Sequence, residues 1–211
     1  MDRDNKTTIF LIRHGQSEIN ILRPRRIGGM KSNAQLTQTG IEQAKLTSEL
    51  VREFTFHAFY SSPLDRALKT AEIIAAPHGK PVEKIRGFIE NDCGRWEGLS
   101  YDEIMKNDRE YYDKWMADSE VVPFPEGENY QQVLDRALAA LDEIIKRHPG
   151  ETVLIVSHNA VLKVLIAHAL GLPTSKCRSI KTSNLGITVL ESKNGRFSVR
   201  TLNSIFHLRR F

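Results

Sequence analysis

Two cysteines in 211 residues, Cys93 and Cys177, are too few for a disulfide framework or a thiolate metal cluster. A reducing, cytoplasmic setting is the expectation that follows. Long apolar runs are missing as well: nothing approaches the roughly 18 residues of a membrane span. The apolar stretch Ile9 to Ile12 is too short for the core of a secretion signal, and no small-residue cleavage site follows it, so no signal peptide is expected. Excess charge is also lacking. Thirty Lys and Arg against 26 Asp and Glu leave +4 with His neutral. So small a surplus argues against nucleic acid as a partner and leaves small anionic ligands open. Repeats and low-complexity linkers are absent too. What is present, 40% hydrophobic and 27% charged residues, suits one good-sized core, and one domain over residues 1–211 is expected.

Strand and helix signals alternate along the chain. Thr7 to Arg13 reads as a strand. A helix with Ile41, Ala44, Leu50, Val51 and Phe54 at roughly helical spacing follows, then a short strand, His57 to Ser61. Ser62-Pro63-Leu64-Asp65 reads as a helix start with Ser62 as N-cap. That helix carries Leu64, Ala67, Leu68, Ala71, Ile74 and Ala75 on one face and stops before Pro77. Pro81 to Ile85 is a short strand. Residues 86–128 are rich in aromatics and charges and read as a small, mainly helical cap. A long amphipathic helix from Tyr130 ends at His148-Pro149-Gly150. Thr152 to Val156 is apolar throughout, as a central strand buried on both faces should be. Ala160 to Leu170 is an apolar helix, and two strands flank the hairpin turn Asn194-Gly195. The alternation predicts an α/β three-layer sandwich, α/β/α, with a mostly parallel central sheet, helices on both faces and the cap inserted. Apolar edge strands near the C-terminus leave a homodimer open.

Three strands end in reactive residues: the first at Arg13-His14, the second at Ser61-Ser62 with Arg66 just inside the next helix, the fourth at Ser157-His158. Ligands of open α/β sheets bind beyond the carboxyl ends of the strands, so a parallel sheet brings these residues together. Two arginines, two histidines and a helix N-terminus in one place suit a phosphate dianion. Arg66 alone reads as readily as a surface residue, and His158 as a core histidine. An arginine in a first helical turn opposes the helix dipole, which makes sense mainly where an anion sits.

In these residues the chain resembles the histidine phosphatase superfamily, also called phosphoglycerate mutase-like. The strongest block is Leu11-Ile12-Arg13-His14-Gly15-Gln16-Ser17 with Asn20 following. Leu36-Thr37 with Gly40, Tyr60-Ser61-Ser62-Pro63-Leu64 with Arg66, Ala67 and Thr70, Glu90 with Gly94-Arg95-Trp96-Glu97-Gly98, and Val156-Ser157-His158 complete the likeness. The resemblance implies His14 as a nucleophile that becomes phosphorylated. It implies Arg13, Asn20, Arg66 and His158 around the phosphoryl oxygens, with Ser17 and Asn159 counted in the same binding set, and Glu90 as proton donor. It implies no cofactor and no metal, since side chains already supply the positive charge. Composition alone leaves Asp92 and Glu97 open as the acid; the family spacing selects Glu90.

The activity implied is that of a phosphomonoester phosphatase acting on a small phosphorylated metabolite. A cofactor-dependent phosphoglycerate mutase and a non-catalytic phospho-ligand-binding module are the alternatives. The comparatively short cap and Cys93-Gly94-Arg95-Trp96 after Glu90, where mutases carry Tyr-Gly, favour the phosphatase. Cys93 stands where members resembling phosphoserine phosphatases carry a substrate-binding histidine, a departure that counts against that substrate. Trp96, Tyr111 and Trp115 either line a specificity pocket or pack the cap, and His207 is a candidate pocket residue. His57, His78 and His168 show no partner pattern.

Overall fold

In the computed structural model, which describes residues 6–208, strand β1 (Thr7–Arg13) feeds two separate cores. Ile9 and Leu11 enter one and Phe10 and Ile12 the other, as the twofold side-chain period of a strand dictates. The chain continues through α1 (Glu18–Ile21), α2 (Gln38–Val51), β2 (Ala58–Ser61), α3 (Asp65–Ala75), β3 (Val82–Lys84), α4 (Tyr101–Asn107) and α5 (Arg109–Ala117). It then forms α6 (Tyr130–Arg147), β4 (Thr152–Ser157), α7 (Asn159–Ala169), β5 (Ile187–Lys193) and β6 (Arg196–Ser204).

The sheet runs β3-β2-β4-β1-β5-β6. The first four are parallel, and β5 and β6 are antiparallel additions. Helices α6 and α7 cover one face, where Val133, Leu141, Val161 and Leu165 meet Ile9, Leu11, Val153 and Ile155. Helices α2 and α3 cover the other, where Val51, Ala67, Ala71 and Ile74 meet Phe10, Ile12, Leu154 and Val156. Each fully buried Val, Leu, Ile or Phe among these contributes about 1.5–3 kcal/mol. The expected three-layer α/β sandwich is therefore the observed one. Asn194 and Gly195 both take positive φ, 51° and 73°, the requirement of a tight hairpin turn. Among the described residues no helix is long and apolar enough to cross a membrane.

A third, smaller core gathers Ile27, Cys93, Trp96, Ile104, Trp115 and Phe124. Two short helices, α4 and α5, carry part of it. Residues at the start of the 86–128 segment behave differently: Phe88 packs in the main core against the sheet and α6. The aromatic cluster is thus built by the segment beyond Glu90.

Two local expectations change. Helix α3 starts at Asp65 with Leu64 as N-cap, so Ser62 is not the cap. The Ser62 hydroxyl instead lies 2.7 Å from His158 Nε2 and accepts the Leu64 N–H at 3.3 Å. Helix α2 turns Gln43, Ala44, Thr47, Ser48 and Val51 inward, while Leu50 faces out and Phe54 lies beyond the helix end, half exposed with its ring 5.5 Å from that of Phe10. The polar inner residues have partners there, Gln43 Oε1 accepting the Gln16 N–H at 3.1 Å.

Candidate active site

The carboxyl ends of β1, β2 and β4 meet at one cavity of about 530 Å³. The ladder between β1 and β4 continues past the strand end: the His14 N–H donates to Ser157 O at 3.0 Å. Gly15 then lets two backbones close. A Cβ on Gly15 would stand 2.6 Å from Gly40 O at the start of α2, so no larger residue fits without moving that helix.

His14 is buried, and its Nδ1 lies 2.7 Å from Gly15 O. Burial, then the charges of Arg13 and Arg66, hold its pKa well below the usual histidine range. The ring is therefore neutral, with its proton on Nδ1 and its lone pair on Nε2. His158 is fully buried, with its ring 5.2 Å from that of His14. Burial and Arg66 depress its pKa as well. Among the described residues its Nδ1 has no hydrogen-bond partner, and neither has the Nε of Arg13 or of Arg66.

Arg66 extends from the first turn of α3. Its Nη1 donates to Ser32 O at 2.8 Å and its Nη2 to Gly29 O at 3.1 Å, so the loop after α1 fixes its plane. Arg13 donates to Thr182 O at 2.8 Å. Burial pulls its pKa down to about 10, against the opposing charge of Glu90, which leaves it cationic at neutral pH.

Glu90 is buried and lies across the N-terminus of α7. Its Oε2 accepts the Asn159 N–H at 3.1 Å, and its Oε1 accepts the Ala160 N–H at 3.2 Å and its neighbour Asn91's at 3.1 Å. Burial raises its pKa; Arg66 and these hydrogen bonds pull the other way. Of the three acids open in the sequence, Glu90 alone lines the cavity. The Asp92 carboxylate caps Gly94 N and pairs with Lys31, and the carboxylate oxygens of Glu97 are buried.

Arg13, His14, Asn20, Arg66, Glu90 and Asn159 line one cavity. Ser17 does not: it is fully buried and its hydroxyl donates to Asn20 Oδ1 at 3.1 Å, so it orients Asn20. His207 is not in the cavity either; its Nε2 lies 2.9 Å from Thr47 Oγ1 on α2. Trp115 lines the cavity, whereas Trp96 and Tyr111 pack the cap, the Trp96 indole N–H donating to Asp108 at 2.8 Å. Cys93 is a buried wall residue whose thiol pKa is raised by burial.

Two positioning residues have no signal in the sequence. The amide of Asn184 donates to His14 O at 2.8 Å and to Gly15 O and Asn20 Oδ1, both at 3.1 Å, joining the histidine turn to Asn20. Arg136 on α6 donates to the carbonyls of Gly87 and Ile89, both at 2.8 Å, and of Glu90 at 3.2 Å. It pairs with Glu128 at 2.8 Å and so clamps the segment that delivers Glu90. Neither residue sits in a recognisable motif; each acts through carbonyls far away in sequence.

Chemically, the site combines a neutral imidazole nucleophile, two fixed guanidinium groups and a buried acid, the components of phosphoryl transfer without an external base. The sequence profile of the histidine phosphatase superfamily (branch 1) matches residues 9–205. Phosphoserine phosphatase 1 of Hydrogenobacter thermophilus is 32% identical over 96% of this chain and 95% of its own length. The adenosylcobalamin/alpha-ribazole phosphatase of Escherichia coli is 30% identical over 93% of this chain and 95% of its own. The solved structure of Bacillus stearothermophilus YhfR superposes with a TM-score of 0.89 at 32% identity, covering 96% of this chain and all of that one.

Proposed function

The chain belongs to the histidine phosphatase superfamily, and from that premise we propose that it hydrolyses a small phosphorylated metabolite through a phosphohistidine on His14. Membership and the phosphatase relatives make it a phosphoric monoester hydrolase. In the proposed cycle, His14 Nε2 attacks phosphorus and the P–O ester bond breaks. Glu90 gives its proton to the leaving alkoxide. Water then attacks the phosphohistidine, gives a proton back to Glu90, and the P–N bond breaks to release inorganic phosphate. Arg13, Arg66, Asn20 and His158 hold the phosphoryl oxygens, with Asn159 at the cavity edge. Splitting one hard displacement into two through a labile phosphoramidate is the gain. The arginines meet charge that is spread over the equatorial oxygens.

The observation that carries this reading is the bond of His14 Nδ1 to Gly15 O, which points the unprotonated nitrogen outward from a ring kept neutral by burial. The relatives named above act on phosphoserine and on a ribazole phosphate, two unlike molecules, so neither substrate transfers directly. The buried Cys93 in the wall, its thiol pKa raised by burial, adds nothing specific for an amino acid.

The test pairs two assays. With p-nitrophenyl phosphate the protein is expected to release inorganic phosphate, in the presence of a chelator as well. His14→Ala is expected to abolish this. With 3-phosphoglycerate and catalytic 2,3-bisphosphoglycerate no efficient formation of 2-phosphoglycerate is expected. Efficient isomerisation would establish the mutase instead, and full activity in His14→Ala would overturn the mechanism.

A further inference from the structure

The cavity beside His14 is larger and more basic than a phosphoryl group requires. Five arginines line it, Arg13, Arg23, Arg25, Arg26 and Arg66, against one carboxylate, Glu90. Arg13 and Arg66 serve the phosphoryl site. Arg26 is occupied, donating to Gly98 O at 2.6 Å and to Glu103 at 3.1 Å. Arg23 and Arg25 remain. Both are exposed, and neither forms an ion pair among the described residues. Among the described residues the Arg23 guanidinium donates only to its neighbour, Leu22 O, at 2.8 Å. Arg25 also acts on the inner site, where its charge helps to hold Arg13 below the ordinary arginine range.

Like charges gathered on one wall repel each other, and a bound anion relieves that repulsion. One phosphate dianion offsets the inner pair and leaves the outer pair unmatched. Guanidinium groups are suited to carboxylate and phosphate alike, because their paired N–H donors match two oxygens at once. Between these charges the lining is mixed: asparagine side chains alternate with apolar and aromatic ones, of which Ile19, Ile27, Tyr101, Trp115 and Phe124 are available to a carbon frame.

We propose that the substrate is a phosphomonoester carrying a second anionic group, a carboxylate or another phosphate, and that Arg23 and Arg25 recognise that group. The proposal rests on the phosphatase reading above. His14 takes the phosphoryl group at the floor of the cavity while the outer arginines fix the far end of the molecule. Specificity then comes from the loop after α1 together with the cap.

Matched substrates test this: glycerol 3-phosphate with 3-phosphoglycerate, phenyl phosphate with 4-carboxyphenyl phosphate, and fructose 6-phosphate with fructose 1,6-bisphosphate. At low ionic strength the doubly anionic member of at least one pair is expected to have a kcat/KM higher by about tenfold or more. The carboxylate pairs and the bisphosphate pair show which second anion is preferred. In Arg23→Ala/Arg25→Ala the ratio within the preferred pair is expected to fall to near one. Lys45→Ala/Lys80→Ala removes the same charge away from the cavity and is expected to keep the ratio. Three results overturn the proposal: a wild-type ratio near one in every pair, a ratio that survives loss of both arginines, or a ratio that falls equally in the lysine variant. A protein that hydrolyses none of these compounds, nor p-nitrophenyl phosphate, overturns the phosphatase reading itself and this inference with it.

Discussion

His14 Nδ1 lies 2.7 Å from the carbonyl oxygen of Gly15, its own neighbour in the chain. A carbonyl can only accept, so this contact decides which ring nitrogen is protonated before any substrate arrives. Asn184 donates to the same carbonyl and to that of His14, which holds the turn in place.

The first expected outcome concerns that ring. Burial and the charges of Arg13 and Arg66 disfavour the imidazolium, so His14 should stay neutral at pH 6.5, where an ordinary histidine is half charged. Nitrogen-15 NMR of the free protein should show a neutral ring with the proton on Nδ1. A ring that titrates at or above the ordinary histidine value would remove the basis for nucleophilic attack.

The pH dependence of kcat/KM follows from two opposite shifts. His14 is lowered, so activity is lost only when pH falls through a value well below 6.5. Glu90 is raised by burial, so its proton is retained above the usual carboxylate range and lost as pH rises through the elevated value. A bell is expected, with its acid limb below the ordinary histidine range and its alkaline limb above the ordinary carboxylate range. Glu90→Gln should flatten the alkaline limb. It should also slow alkyl phosphates by about 10²–10⁴-fold and aryl phosphates far less, because an aryl leaving group needs less protonation. Equal losses on both substrate types would count against Glu90 as the acid.

Much of this was legible in the sequence because it is local. The apolar runs Ile9 to Ile12 and Thr152 to Val156 are strand signals that need no distant information, and the mostly parallel sense of the sheet follows from the helices between the strands. The convergence of Arg13-His14, Arg66 and Ser157-His158 follows from parallel strands. The hidden parts depend on contacts across the chain. Asn184 reaches His14 across 170 residues and Arg136 reaches Glu90 across 46, each through a backbone carbonyl that carries no residue-type signature. Ser62 looked like a cap because Ser-Pro usually begins a helix, but His158 lies within hydrogen-bonding distance of its hydroxyl and the helix begins later.

The loop that carries Gly29 should control Arg66. A Cβ on Gly29 would stand 2.6 Å from Glu97 Oε2, 2.9 Å from Asn91 O and 3.0 Å from Cys93 Sγ. Gly29→Ala therefore has to shift the loop whose carbonyls at Gly29 and Ser32 hold the guanidinium. A displacement near 1 Å at a positioned charge costs about 10²-fold in rate. In an Arg66→Lys background, which already lacks the planar donor pair, the same glycine change should add little. Additive losses would show that Gly29 acts on some other part of the site.

Ser157 joins the fold to the acid. It ends β4, is fully buried, and its hydroxyl donates to Phe88 O at 2.8 Å, two residues before Glu90. Ser157→Ala removes that bond and strands a buried carbonyl, at a cost of about 1–3 kcal/mol. Arg136 still holds the Gly87, Ile89 and Glu90 carbonyls, so the segment should loosen without detaching. The variant should thus unfold at lower denaturant concentration with an unchanged slope. It should also lose more activity on alkyl than on aryl phosphates, since it disturbs the proton donor and leaves His14 in place. Loss of stability with an unchanged alkyl-to-aryl ratio would mean that Ser157 supports the sheet alone and that Arg136 suffices to place Glu90.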